Sequence, residues 1–165
     1  MTTASKGTGT ALQDVWQGCY KNGWESIINS EAYSHPAKFS RSLIQRIYAH
    51  AKEEGWLWPG AVCLDVFGGV SLGALDAMLM GCTHISVELE PRFSELAKAN
   101  VELWTRRYGH LPGFGQALLL CGDSRQLATL LQGQVECVVA SPPYESTPCV
   151  SFHTTDGSCA TGGRM

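Results

Sequence analysis

The sequence predicts an α/β fold: a parallel sheet of four strands with helices between them and on both faces. Three observations carry this. Short apolar runs at 61–66, 83–89, 117–121 and 135–140 alternate with stretches of helical periodicity. Strands that alternate with helices pair in parallel through right-handed crossovers. The unusual residues, from Asp65, Phe67, Gly68 and Gly69 through Glu88 and Asp123 to Ser141 and Tyr144, all fall at the carboxyl ends of these runs. Ligands sit beyond those ends in open parallel sheets.

Residues 1–23 are polar and read as a loose arm with room for one short helix. Residues 24–36 read as a loop anchored by Trp24, Ile27, Ile28 and Tyr33, and His35-Pro36 turns the chain away from helix. Phe39, Leu43, Ile44, Ile47, Tyr48 and Ala51 then recur at helical spacing, with Ser40 or Ser42 as the cap and Gly55 as the stop. Trp56-Leu57-Trp58-Pro59-Gly60 is a turn anchored by its aromatic rings. After the first strand, a helix is expected over 71–80, ending at Gly81. Pro91 opens the next helix, to about Tyr108, with Phe93, Leu96, Ala97, Val101 and Trp104 on its apolar face. A short helix over 126–131 leads to the fourth strand. Residues 141–165 are rich in Ser, Thr, Pro and Gly and contain no further strand pattern. The expected division is an arm (1–32), a ligand-binding domain (33–146) and an irregular tail (147–165).

A chain of 165 residues suits one domain, and 44% hydrophobic against 16% charged residues is a globular balance. No apolar run approaches ~20 residues, so no membrane span is expected. The opening MTTASKGTGT has no charged region followed by an apolar one, so no secretory signal is expected. The net charge of −3 gives no global case for nucleic-acid binding and leaves only a local basic face to supply one. Arg41, Arg46 and Lys52, and the run Arg106-Arg107-Tyr108, either face phosphates or belong to solvated helix faces. None of the seven cysteines forms a C-x-x-C pair, so no zinc site or other metal is expected. Cys63, Cys121 and Cys137 lie in apolar runs and read as small buried hydrophobes. An odd cysteine count without a secretion signal points to a reducing, cytoplasmic setting.

The strand ends define the chemistry. Glycines at 68, 69 and 73 let the backbone turn sharply and approach a ligand. Glu88, at the end of the second strand, is placed to accept hydrogen bonds from two ribose hydroxyls; the plainer reading is a solvated acid before a helix. Glu90 reads as an acid favoured by the helix dipole. No G-K-[ST] follows the glycine turn, and G-x-G-x-x-G fails because Gly68 and Gly69 are adjacent. A cofactor with a ribose but no polyphosphate is therefore expected, and S-adenosylmethionine fits. Asp123, in Gly122-Asp123-Ser124, either accepts from an adenine amino group, caps a helix, or does both. In Ser141-Pro142-Pro143-Tyr144 the prolines stiffen the chain and leave carbonyls pointing outward. A serine hydroxyl, a fixed carbonyl and an aromatic face suit a planar ring that bears an amino group; the alternative is a rigid proline turn.

With these residues in place, the chain resembles the amino-group DNA methyltransferases over about 33–146. Leu64-Asp65-Val66-Phe67-Gly68-Gly69 is similar to their cofactor motif, Val87-Glu88-Leu89 to their ribose-binding acid, and Gly122-Asp123-Ser124 to their adenine-side motif. Ser141-Pro142-Pro143-Tyr144 resembles the catalytic motif. His35-Pro36-Ala37-Lys38-Phe39-Ser40, with Lys38 and Phe39, resembles the segment over the methionine end of the cofactor. The resemblance implies a Rossmann-like methyltransferase fold, S-adenosylmethionine as cofactor, and DNA as partner with the target base flipped out. Serine at the first catalytic position favours cytosine N4 as the acceptor over adenine N6. A carbon-5 cytosine enzyme is not expected, because Ser-Pro-Pro-Tyr occupies the loop where its Pro-Cys nucleophile would stand, ahead of Pro148-Cys149. Two departures follow. Ser71 stands at the middle glycine of the family's turn, which would place a Cβ against the cofactor. Family members also carry about three more strands and a target-recognition region after the catalytic motif. The expectations are then four strands of the sheet, with sequence reading by a separate subunit, or an inactive remnant. Methylation of RNA or a protein glutamine is the further alternative.

Overall fold

The computed structural model describes residues 15–142. Pro143, Tyr144 and the expected tail at 147–165 lie outside the described residues, as do Pro148, Cys149 and the first part of the expected arm. Helices α1 (Arg41–Glu53), α2 (Leu72–Leu79), α3 (Pro91–Tyr108) and α4 (Leu127–Leu130) alternate with strands β1 (Val62–Asp65), β2 (Thr83–Glu88), β3 (Gln116–Cys121) and β4 (Cys137–Val138). Short 3₁₀ turns cover Ser30–Ser34 and Ser124–Gln126.

All strand pairs are parallel, in the order β3-β2-β1-β4. Leu64 lies opposite both Ile85 and Val138, and Ile85 opposite Leu118. The chain steps outward from β1 to β3 and then returns to the other side of β1, so the switch point lies between β1 and β4. Right-handed crossovers accordingly put α2 and α3 on one face and α4 on the other. Two cores follow. Cys63 belongs to the one built with Tyr48, Leu57, Leu75, Met78 and Trp104. Leu64, Ile85 and Val87 form the other with Leu127, Leu130 and Leu131. Adjacent strand residues enter opposite cores because strand side chains alternate faces. The protein is therefore a Rossmann-like α/β sheet with helices on both faces, with four strands among the described residues.

Local chemistry explains the element ends. Pro91 fixes the first turn of α3 and has no N–H to leave unpaired. Phe93, Leu96, Ala97 and Trp104 of its apolar stripe are buried. Helix α2 is buried on nearly every side. Gly81 closes it at φ +80°.

Several expectations are corrected. Within the stretch 24–36, Trp24 and Ile28 enter the main core as the expected anchors, and Ala32 joins them. Trp104 donates its indole N–H to the Ile27 carbonyl (2.7 Å), and Arg107 donates to Ser26 (2.6 Å). The stretch read as a loop contains a 3₁₀ turn, and Tyr33 is exposed while Ala32 is the anchor. In the 56–60 turn Leu57 points inward, leaving Trp56 and Trp58 exposed. Ser40 is the N-cap residue of α1, as expected, but its side chain makes no capping hydrogen bond. Ser40 Oγ donates to the Asn22 carbonyl (2.7 Å) and Ser42 Oγ accepts from its N–H (3.0 Å), pinning the incoming chain. Cys121, ending the edge strand β3, is exposed and Cys137 is half-buried; only Cys63 of the three is fully buried. Arg41 does not face outward: it pairs with the buried Asp76 at 3.0 Å. Arg46 pairs with Glu53 and Arg106 with Glu102. Among the described residues no helix is long and apolar enough to cross a membrane.

Candidate active site

The glycine turn after β1 is held at nearly every backbone group. Asp65 Oδ1 accepts from the Phe67 N–H at 2.9 Å. Gly68 donates to the Val87 carbonyl (2.8 Å) and Gly69 to Glu88 Oε2 (2.7 Å). The other oxygen of Glu88 accepts from the Glu90 N–H at 2.8 Å. The Val70 carbonyl accepts from Asn100 Nδ2 at 3.0 Å. A Cβ on Gly68 would stand 2.7 Å from Ser86 Cβ, so only glycine fits against β2. Gly69 has φ +53°, and a Cβ there would meet the His35 ring at 3.0 Å. The turn thus lies flat between β2 and the segment that crosses above it.

Ser71 corrects a further expectation. It takes the left-handed conformation, φ 60° and ψ 38°, that a glycine would adopt freely. Its side chain is fully buried, and Oγ lies 2.6 Å from Ser86 Oγ, which lies 3.2 Å from His84 Nδ1. The Cβ therefore points into the protein beneath the turn rather than against a cofactor. His84 is neutral, its pKa pushed down to about 4 by burial, and its Nε2 has no hydrogen-bond partner among the described residues.

The crossing segment is built by its own hydrogen bonds. His35 Nδ1 donates to the Ala37 carbonyl at 2.7 Å, and its ring stands edge-on to Phe93 with centroids 4.4 Å apart. Lys38 Nζ donates to the Tyr33 carbonyl (2.9 Å) and to that of His35, so the ammonium stitches the segment to itself. The Phe39 carbonyl accepts from the Trp24 indole at 2.7 Å.

A cavity of about 180 Å³ opens between α1 and the carboxyl ends of β1 and β4. Phe39, Ile44, Tyr48, Asp65, Gly73 and Ser141 are among the residues that line it. Its walls are apolar apart from the Tyr48 hydroxyl, the Asp65 carboxyl and Ser141. Burial pushes Asp65 up to about 6 against the opposing hydrogen bond from Phe67 N–H, with the Glu88 charge adding to the rise. A buried carboxyl of this kind gains from a cation placed beside it.

The structure brings Phe39, Asp65 and Ser141 to this cavity, with Gly68 and Gly69 in the adjoining turn and Glu88 at the end of β2 beside it. Phe67 and Leu89 flank the turn with exposed side chains, and Ser141 and Pro142 are exposed beyond β4. Lys38 is engaged within its own segment. Asp123 caps the following 3₁₀ turn, accepting from the Arg125 N–H at 2.9 Å, and its carboxylate pairs with the Arg125 guanidinium, which holds its pKa down. Sequence reasoning missed Asn100, Ser86 and His35 as individual site residues. Asn100 did leave a signal, being the polar residue in the 93, 96, 97, 100, 104 stripe of α3.

The residues present fit an S-adenosyl cofactor. An acid at a strand end, fixed by backbone N–H groups beside a glycine turn, suits a ribose, and an apolar cavity with one buried carboxyl suits an aliphatic chain that ends in an ammonium. Among the described residues no group of three His, Cys, Asp or Glu is placed to hold a metal.

No known family model matches the chain, and no curated protein sequence does. Among solved structures it is similar to putative transferase PH0793 from Pyrococcus horikoshii, at 17% identity and a TM-score of 0.37 over 56% of this chain. It is also similar to a protein-L-isoaspartate O-methyltransferase, at 23% identity and a TM-score of 0.37 over 53% of this chain. The chain covers 32% and 26% of the lengths of those two proteins.

Proposed function

We propose that the protein binds S-adenosylmethionine and transfers its methyl group to the exocyclic amino group of a DNA base, with cytosine N4 the favoured acceptor. The observation that supports this most is the meeting of Asp65, Phe39 and Ser141 around one cavity, beside a glycine turn bonded to Glu88. When bound, the cofactor supplies an electrophilic methyl group on a sulfonium. Glu88 would hold the ribose, Asp65 the ammonium and Phe39 the aliphatic chain. Ser141 Oγ and the Pro142 carbonyl would accept the two N–H groups of the target amine, fixing its plane and directing its lone pair towards the cavity. The apolar walls contributed by α1 exclude water from that line of approach. In the sequence reading Tyr144 supplies the stacking face. DNA recognition is assigned to elements outside the described residues or to a separate subunit.

A transfer assay with radiolabelled S-adenosylmethionine and duplex DNA tests this reading. Label at cytosine N4 supports it, and label at adenine N6 corrects the base. Transfer to RNA or protein alone would replace DNA as the substrate. Cofactor binding without transfer to any acceptor would leave an inactive cofactor-binding remnant.

A further inference from the structure

We propose that His35 reads the cofactor ribose: its Nε2 lone pair accepts one hydroxyl of the 2′,3′-diol while Glu88 accepts the other. The assignment rests on the S-adenosylmethionine reading above and adds to it a residue and a specificity.

The tautomer follows from geometry. His35 Nδ1 is 2.7 Å from the Ala37 carbonyl oxygen, which can only accept, so Nδ1 carries the hydrogen. The neutral ring then presents Nε2 as an acceptor. Burial lowers the pKa of His35, with lesser opposing contributions from the Ala37 hydrogen bond and the Glu88 charge, and this favours the neutral ring. Nε2 has no hydrogen-bond partner among the described residues.

Position gives that lone pair a use. Gly69 is flanked by two acceptors: Glu88 Oε2 lies 2.7 Å from its N–H, and His35 Nε2 lies 3.0 Å from where its Cβ would stand. Each oxygen of Glu88 already accepts one backbone N–H, from Gly69 and from Glu90. A vicinal diol brings two further donors to this point, and an imidazole beside the carboxylate lets each hydroxyl have its own acceptor. The ring is held in place for this by the Ala37 bond on one side and the edge contact with Phe93 on the other. Lys38, the charged residue of the same segment, is turned away into the Tyr33 and His35 carbonyls.

The test is calorimetry of the full chain with S-adenosylhomocysteine and its 2′-deoxy and 3′-deoxy analogues. His35→Phe keeps an aromatic ring against Gly69 and Phe93 but has no acceptor. His35→Gln restores an acceptor near the Nε2 position. The wild type should lose affinity for both deoxy analogues. His35→Phe should weaken the parent ligand about fivefold to tenfold, bind one deoxy analogue as the wild type does, and be largely rescued in His35→Gln. The proposal is overturned if His35→Phe binds the parent ligand unchanged or loses the same factor for all three ligands. It is also overturned if the wild type is indifferent to one hydroxyl. Failure of the wild type to bind S-adenosylhomocysteine at all is a different result, which removes the cofactor reading and this assignment with it.

Discussion

Asn100 donates its side-chain amide to the Val70 carbonyl at 3.0 Å while its Oδ1 accepts the Asn29 N–H at 2.7 Å. One fully buried side chain on α3 therefore joins the glycine turn to Asn29, the N-cap of the 3₁₀ turn that leads into the crossing segment.

Removing the link leaves a backbone N–H and a carbonyl unpaired in the interior. Asn100→Ala should destabilise the fold by about 2–4 kcal/mol, since each buried group left unsatisfied costs about 1–3 kcal/mol. Asn100→Asp keeps the acceptor for Asn29 but points an oxygen at the Val70 carbonyl, and should also lose stability. Urea denaturation of both variants measures this.

Asp65 sets a stability that depends on pH. Its folded pKa of about 6 stands above the reference value of 3.8, so between those values the folded state binds more protons than the unfolded one. Stability is then greatest below the unfolded value and is lost as pH rises towards 6 and beyond. Asp65→Asn keeps the acceptor for Phe67 N–H and never ionises. It should match the wild type near pH 4 and exceed it by about 1–3 kcal/mol at pH 8, from the size of the pKa difference. The same variant should bind S-adenosylhomocysteine more weakly at pH 8, because the ligand ammonium has lost its carboxylate. Denaturation curves at the two pH values and calorimetry at the higher one read both effects.

Ser71 offsets backbone strain with a hydrogen bond. The left-handed conformation costs a non-glycine residue about 1–2 kcal/mol, and the bond to Ser86 returns an amount of that order. Ser71→Gly loses both and should remain within about 1 kcal/mol of the wild type. Ser71→Ala keeps the strain and loses the bond, so it should be the less stable of the two. Thermal melts that ranked alanine at or above glycine would contradict this account of the turn.

Arg41 acts inside the fold. Its guanidinium donates to both oxygens of the buried Asp76, at 3.0 and 3.2 Å, and Gln45 is the other side chain bonded to that carboxylate. Arg41→Ala should cost roughly 3 kcal/mol, as expected for breaking a buried pair from one side. Denaturation of Arg41→Ala beside the Arg41→Ala, Asp76→Ala double variant checks it; the second should recover part of the loss.

The sheet was legible because its signals are local. The apolar runs give the strands, Pro91 and Gly81 mark helix ends, and the α3 stripe gives its buried face. The positions of Asp65, Gly68, Gly69 and Glu88 at strand ends followed directly. Partnerships across the chain were not legible. Nothing in the sequence separates Leu57 from its two tryptophan neighbours as the inward residue, because that depends on what the turn faces. Ser40 stands at the N-cap, but that its hydroxyl and that of Ser42 are spent on Asn22 shows only once Asn22 is brought against them. The direction of the Ser71 side chain required Ser86 from the next strand. His35 and Lys38 stand three residues apart in one motif, and only the fold shows which faces the glycine turn and which is bound into the segment.

The central claim is that the turn held by Glu88 and the cavity floored by Asp65 form a site for an S-adenosyl cofactor. Titration of the full chain with S-adenosylhomocysteine in a calorimeter tests it most directly. The account predicts one-to-one binding at pH 8, weakened about tenfold or more by Glu88→Gln through the loss of a charged acceptor. No binding by the folded wild type, or binding that Glu88→Gln leaves unchanged, would contradict it.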